Sequence, residues 1–184
     1  SIHSKGVLLL SGYIGHKYGQ NLPVAISANI AIEQSYGHID GDSASMAELC
    51  ALISAISHLP IDQSIAITGS MNQHGEVQSI GGVNEKIEGF YRLCKDKGLT
   101  GEQGVIIPKT NVINLMLCDE VIDAVKNRKF HIYAVDNVDQ SLEILMGQSA
   151  GTINSVGRYP RKSIHALVLN KLSHLSELLE GGES

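Results

Sequence analysis

The spacing of apolar residues changes along the chain, and this limits the fold classes open to it. Residues 5–36 are rich in β-branched and small apolar side chains and are interrupted by glycines, which predicts strands joined by glycine turns. Over residues 43–58 the apolar positions recur at helical spacing, which predicts a buried helix that ends before Pro60. The first third of the chain therefore predicts strands followed by a helix.

Beyond that helix, strand-like and helix-like segments alternate. The predicted strands cover residues 65–68, 77–80, 105–107 and 130–135, and the predicted helices cover residues 83–97, 119–128 and 138–146. Strands that come first and then alternate with helices indicate an α+β (mixed α/β) fold.

The end of the chain has a different character. Residues 148–160 carry glycine, serine and proline and are predicted to form a linker, and residues 161–180 are amphipathic, which predicts a terminal helix. We therefore divide the chain into a domain of residues 1–147 and an accessory extension of residues 148–184.

The composition is that of a globular protein and excludes several function classes. The 184 residues are 43% hydrophobic, carry a net charge of −5 and contain 4% aromatic residues without tryptophan. Without clustered lysine and arginine or aromatic stacking platforms, we expect no nucleic-acid partner. No apolar stretch approaches 18 residues, so we expect no membrane-spanning helix.

The start of the sequence and its cysteines indicate whether the chain is part of a longer protein and in which cellular compartment it lies. The chain begins with serine and without a signal-peptide pattern, so we expect it to be a piece of a longer protein. Cys50, Cys94 and Cys118 are widely spaced and have apolar neighbours. We predict three buried, reduced thiols, which favours a cytoplasmic location.

The segment from Asp40 to Glu48 places carboxylates and hydroxyls on a glycine turn before the first predicted helix. One interpretation is helix capping, because Ser45 and Glu48 have the spacing of a capping box and Asp42 or Ser43 could be the N-cap. The other is that Ser43 is a nucleophile whose oxyanion product is stabilised by the helix N-terminus.

A second segment carries a lysine at an unusual place. Gly81 and Gly82 precede the helix predicted over residues 83–97, and Lys86 falls near its first turn. The helix dipole disfavours a cation there, although an exposed surface lysine is the ordinary interpretation. The alternative is that Lys86 lies in a dry pocket and acts as the base that a serine nucleophile needs.

Other chemistry has little support in the sequence. The eight histidines show no metal-binding spacing and there is no Cys-x-x-Cys, so we expect no metal site and assign the histidines structural or surface roles. A phosphate-binding G-x-x-x-x-G-K-[ST] loop is absent.

Taken together, the two segments resemble the proteolytic domain of the Lon family of ATP-dependent serine proteases. The stretch from Asp40 to Ser45 is similar to the family's nucleophile motif in its archaeal, B-type form, in which an aspartate directly precedes the serine. Ile80-Gly81-Gly82-x-x-x-Lys86 matches the family's I-G-G-x-x-x-K. Two further matches are Thr68-Gly69, 18 positions before that lysine, and the strand Val105–Pro108, which ends in Ile-Pro. These matches run in family order over about residues 5–147.

The resemblance implies roles for individual residues. Ser43 would be the nucleophile, and Lys86 the general base that later donates its proton to the leaving amine. Thr68 would orient Lys86, and Asp42 and Asp40 would lie on the active-site loop. The implied fold is the Lon proteolytic fold, which is related to a ribosomal-protein domain and to GHMP kinases.

The resemblance also implies partners. We expect unfolded polypeptides as substrates and a homo-oligomer, a hexameric ring in the parent protein. ATP and magnesium would serve an ATPase module that this sequence lacks, and we expect no cofactor for the chain itself. The extension of residues 148–184 is longer than the usual end of the family's proteolytic domain.

Two alternatives remain open at this point. The glycine turn before the first helix faintly resembles the phosphate loop of a GHMP-like small-molecule kinase, although Asp40 and Asp42 would repel phosphate. The long terminal helix is also compatible with a non-catalytic assembly module.

Overall fold

The computed structural model describes residues 2–19 and 41–182. Its elements follow in chain order: α1 (Ile2–Tyr18), α2 (Ser45–Ser57), β1 (Ile65–Ile67), β2 (Ser70–Met71), β3 (Val77–Gln78), α3 (Val83–Lys97), β4 (Gly104–Pro108), a 3-10 helix (Lys109–Asn114), α4 (Asp119–Lys126), β5 (His131–Val135), α5 (Val138–Met146) and α6 (Ile164–Gly181). This mixture of helices and strands confirms the predicted α+β class.

A three-stranded parallel sheet forms the centre of the fold. Its strand order is β1-β4-β5, so β4 lies in the middle, and Ala66 and Ile132 are aligned with Val105 on either side of it. All five β4 residues are buried, as expected for a strand covered on both faces of a parallel sheet. The short strands β2 and β3 form a separate antiparallel pair.

The sheet separates two hydrophobic cores. Alternate β4 side chains enter opposite cores, with Ile106 on one side and Val105 and Ile107 on the other. The first core, called here the α2 core, is formed by side chains of α1, α2, α5 and α6. The second, called the α3 core, is formed by α3, α4 and Phe130. The sheet is therefore sandwiched between two helical layers.

The prediction of strands at the start of the chain is wrong where the structure describes it. Residues 2–18 form a helix that buries Leu10, Tyr13, Ile14 and Tyr18 on one face. These residues have the i, i+3, i+4 spacing of a helix, which the frequent glycines obscured. Gly12 has a packing role, because a Cβ added there would lie 3.3 Å from Cβ of Gln73. The remaining strands predicted between residues 20 and 36 fall outside the described residues.

The terminal helix is packed rather than free. Ile164, Val168 and Leu172 of α6 are buried in the α2 core. Residues 148–160 contain neither helix nor strand, but the N–H groups of Ile164 and His165 donate to the carbonyls of Ser149 and Ala150. The helix therefore follows a connection that is itself hydrogen-bonded to it.

The environments of the cysteines differ from one another. Cys50 and Cys94 are buried as expected, whereas Cys118 is exposed just before α4.

Within residues 2–19 and 41–182, no helix combines the length and the apolar character that crossing a bilayer requires.

Candidate active site

Ser43 lies directly before the N-terminus of α2, and a three-bond connection to the segment after β1 holds it there. The Gly69 N–H donates to the Ser43 carbonyl at 2.9 Å, and the Met46 N–H donates to the Gly69 carbonyl at 3.3 Å. The Met71 N–H donates to Oγ of Ser45 at 3.2 Å. The loop that carries Ser43 is therefore fixed by main-chain contacts with a neighbouring segment.

Gly69 is required for this approach. A Cβ at position 69 would collide with the sulfur of Met46 and would touch Pro108. The Thr-Gly pair of the sequence thus has a steric basis, because only glycine lets the two segments come this close.

Capping of α2 differs from the sequence-based expectation. The N-cap is Ala44, which has no side chain able to cap, so the Ser45–Glu48 capping box does not form. Ser45 is instead buried, and its hydroxyl binds Met71. The Ser45 N–H donates to the Asp42 carbonyl at 3.0 Å, so this first-turn donor is already satisfied within the protein.

Lys86 reaches Ser43 from the first turn of α3. Its Nζ lies 3.0 Å from Oγ of Ser43, although the two residues are 43 positions apart in sequence. The Lys86 residue is exposed, so the prediction of a dry pocket around it is wrong for the described residues. Ser43 is partly buried, and the pair is open to solvent on one side.

The start of α3 is fixed by a residue that sequence analysis missed. Asn111 is 3% exposed, and its side chain accepts from the Ile80 N–H at 2.9 Å and donates to the Ile80 carbonyl at 3.0 Å. Gly82 then adopts a left-handed φ of 68° and begins the helix that carries Lys86. The one signal for Asn111 was a polar residue closely following the buried strand that ends at Pro108.

The face of α3 that carries Asn84 and Glu88 is hydrogen-bonded to the backbone of the segment before α4. Asn84 and Glu88 lie four residues apart on one face, where Asn84 bonds to the backbone of Met116 and Glu88 accepts from the Cys118 N–H. Lys86 is two residues from each and thus lies on roughly the opposite side of the helix. Glu88 therefore faces away from Lys86.

Thr68 completes the contacts of the lysine. It directly follows β1, is 8% exposed, and its N–H donates to the Ile106 carbonyl at 3.0 Å. Its Oγ1 lies 3.5 Å from Nζ of Lys86. The sheet thereby fixes a hydroxyl beside the amine, and the structure brings Ser43, Lys86 and Thr68 together.

Asp42 is placed differently. Its carboxylate binds Nζ of Lys5 from α1 at 3.0 Å, and no hydrogen bond joins it to Lys86. The hydrogen bond from Lys5 lowers the pKa of Asp42 below its usual value. Lys5 was missed in the sequence, where nothing links it to the serine. Asp40 lies outside the described residues.

The chain matches a known protein family over most of its length. Residues 16–148 match the family model described as the Lon protease C-terminal proteolytic domain. The chain belongs to the Lon family. The match contains Ser43, Lys86 and Thr68 and ends just before the connection to α6.

Individual Lon relatives give the same family. A Lon protease homolog of Escherichia coli is 50% identical over 146 residues, and one of Haemophilus influenzae is 49% identical over 148 residues. They cover 79% and 80% of this chain, and the matched region is 25% of each relative. The archaeal Lon protease of Thermococcus kodakarensis is 40% identical over 113 residues, which are 61% of this chain and 16% of that protein. The chain thus spans about a quarter of the length of the first two relatives.

Proposed function

We propose that this Lon-family domain is a serine endopeptidase in which Ser43 is the nucleophile and Lys86 the general base. The observation that carries the proposal is the 3.0 Å separation of Ser43 Oγ and Lys86 Nζ. A base must lie within hydrogen-bond reach of the proton it removes, and this pair meets that requirement without rearrangement.

The reaction follows from the positions of the two groups. The neutral Lys86 amine takes the Oγ proton while Oγ of Ser43 attacks the carbonyl carbon of the peptide bond. The positive end of the α2 dipole, beside Ser43, stabilises the oxyanion. When the tetrahedral intermediate collapses, the Lys86 ammonium protonates the leaving amine, and an ester on Ser43 remains.

Hydrolysis of that ester repeats the proton transfer with water. Lys86 accepts a proton from the attacking water, the hydroxide oxygen bonds to the ester carbon, and Ser43 leaves with the proton returned to Oγ. Because Lys86 is exposed in the free domain, a bound polypeptide has to exclude water from the pair. Thr68 limits the positions open to the amine by its contact with Nζ.

The wider assignments are also proposals. We propose that the substrates are unfolded polypeptides, that the longer protein assembles as a ring, and that ATP and magnesium act in a part of it outside this chain. The matched region is 25% of each of the first two relatives, so those relatives are much longer than this chain. We assign no residue of this chain to ATP or magnesium.

The test uses substitutions with matched controls. Ser43→Ala and Lys86→Arg should each abolish cleavage of a fluorogenic peptide and of casein. Arginine keeps the charge but cannot act as a base, so its inactivity separates base catalysis from simple electrostatics. Lys97→Met, at the exposed end of the helix that carries Lys86, should keep most of the activity of the wild type.

A second measurement detects a reactive Ser43 even if the isolated domain cleaves peptides slowly. An activated ester should acylate Ser43 in the wild type, seen as a mass increase on the peptide that contains it, and should not acylate Ser43→Ala protein. Full activity of Ser43→Ala, or the absence of both turnover and acylation in the wild type, would contradict the proposal. If the wild type shows neither turnover nor acylation, nucleotide binding measured by calorimetry would favour the kinase alternative.

A further inference from the structure

The contact between Lys5 and Asp42 lies next to the proposed nucleophile but belongs to a different helix. Lys5 is on α1, which the structure packs against the first turn of α2. Oε2 of Glu48 in that turn lies 3.5 Å from where a Cβ on Gly6 would be. The Lys5 amine is therefore held close to the loop of Ser43 by the packing of its helix.

Asp42 lies beside the serine that Lys86 binds, but its own carboxylate is bound by a different lysine. It is adjacent to Ser43, so their Cα atoms are separated by about 3.8 Å. Lys86 lies 3.0 Å from Ser43 Oγ, whereas the Asp42 carboxylate is bound to Lys5 at 3.0 Å. The two lysines therefore bind neighbouring residues of the same loop.

We propose that Lys5 is a positioning residue that holds the Asp42 carboxylate away from Lys86 and so keeps the amine available to Ser43. A carboxylate paired with Lys86 would favour the ammonium form, which cannot accept the serine proton. Lys5 acts through Asp42 and touches neither Ser43 nor substrate. This inference rests on the proposed function of the Ser43–Lys86 pair.

The charged groups around Asp42 set the direction of the effect. Among residues 2–19 and 41–182, the cations bound to this loop are Lys5 on α1 and Lys86 on α3, and Glu48 on α2 is a carboxylate near Gly6. The Lys5 and Asp42 side chains are 63% and 29% exposed, so water weakens their attraction and a moderate effect is expected.

The experiment compares kcat/KM across pH for the wild type, Lys5→Met, Lys5→Arg and the double variant Lys5→Met/Asp42→Asn. Lys5→Met should lower kcat/KM about two- to fivefold at neutral pH. The increase of kcat/KM with rising pH, which reports the loss of a proton from the base, should occur at higher pH than in the wild type. Lys5→Arg should match the wild type, because arginine also binds a carboxylate.

The double variant separates positioning from a structural role. Without a carboxylate at position 42, loss of Lys5 should no longer matter, so the double variant should recover most of the activity lost in Lys5→Met and return the profile towards wild type. A purely structural defect in α1 would leave the double variant as impaired as the single one.

The outcomes distinguish this inference from the proposed function. If Ser43 and Lys86 are essential but Lys5→Met leaves the pH profile in place, the role of Lys5 is wrong and the dyad stands. If Lys5→Met is impaired and Asp42→Asn does not rescue it, the role of Lys5 is equally overturned. If Ser43→Ala retains full activity, the dyad itself is wrong and Lys5 has nothing to position.

Discussion

Two serines, two positions apart, show how strongly the environment of a single residue decides its role. Ser45 is 1% exposed and its hydroxyl accepts a bond from the Met71 backbone. Ser43 is partly exposed and its hydroxyl faces the Lys86 amine. Of the two hydroxyls, that of Ser43 is therefore the one that a polypeptide from solvent can reach.

The cysteines allow a prediction at the same scale. Burial raises the pKa of the Cys50 thiol to about 12, whereas Cys118 is exposed. Since the thiolate is the nucleophile, iodoacetamide at pH 8 should label Cys118 in the folded protein and leave Cys50 unlabelled until urea unfolds the chain. Peptide mass spectrometry measures the labelling at each site. Rapid labelling of the Cys50 peptide in the folded protein, in the wild type or in a Cys118→Ser variant, would contradict this.

Residue environments were only partly predictable from the sequence. The apolar neighbours of Cys118 suggested burial, but Leu117 and Cys118 lie in a loop before α4. The Cys118 N–H of this loop donates a hydrogen bond to the Glu88 carboxylate on α3. The pairing of Ser43 with Lys86 came from the family resemblance, because a separation of 43 positions carries no contact information by itself. Lys5 could not be found, since the helix that brings it to Asp42 was predicted as strand.

At the scale of elements, close approach of segments decides the geometry of the site. The segment after β1 lies against the loop before α2 through Gly69, and α3 is positioned by Asn111. The sequence predicted α3 and α5 closely, because their apolar spacing is strong and a glycine follows each of them. It failed for α1, where glycines lie inside the helix and permit contacts with Gln73 and Glu48.

Replacing Gly69 tests this close approach. Gly69→Ala should lower the free energy of unfolding by about 1–3 kcal/mol, because the added methyl group meets the Met46 sulfur in a packed core. It should also displace Ser43, whose carbonyl binds the Gly69 N–H. Urea denaturation measures the first effect.

The control is a glycine with room for a methyl group. Gly89 lies inside α3 with nothing within 4 Å of an added Cβ. Gly89→Ala should therefore raise the free energy of unfolding by about 0.5–1 kcal/mol. Equal stability of the two variants would show that position 69 tolerates a side chain.

At the scale of the whole molecule, a buried polar network joins helices that are distant in sequence. His165 of α6 is fully buried, with Nδ1 2.6 Å from the Tyr18 hydroxyl of α1 and Nε2 2.8 Å from the Asp139 carboxylate of α5. Nε2–H donates to the Asp139 carboxylate, which can only accept, and Nδ1 and the Tyr18 hydroxyl share the other hydrogen bond. The terminal helix is thus bonded to both ends of the family domain, which sequence patterns could not reveal because each partner lies on a different element.

The network makes stability depend on acid. Burial is the largest single influence and would raise the pKa of Asp139, but the hydrogen bond with His165 and the charge interactions with His165 and Lys17 together outweigh it and lower the pKa below its usual value. A carboxylate with a lowered folded pKa stabilises the protein above its unfolded pKa, near ~3.9, and this contribution disappears as pH falls through the folded pKa. Asp139→Ala should therefore cost about 1–2 kcal/mol at pH 7, allowing for the partial exposure of the carboxylate.

The pH dependence separates the charge from the packing. The cost of Asp139→Ala should shrink as the pH falls below about 4, because the wild-type carboxylate then becomes neutral. Tyr18→Phe removes a hydrogen bond to the same ring but leaves the Asp139 carboxylate in place, and it should cost about 1 kcal/mol at pH 7. Urea unfolding at pH 7 and at the lowest pH where the wild type stays folded measures both. An Asp139→Ala cost that is constant with pH would mean that α5 and α6 are held together by shape alone, without help from the charge.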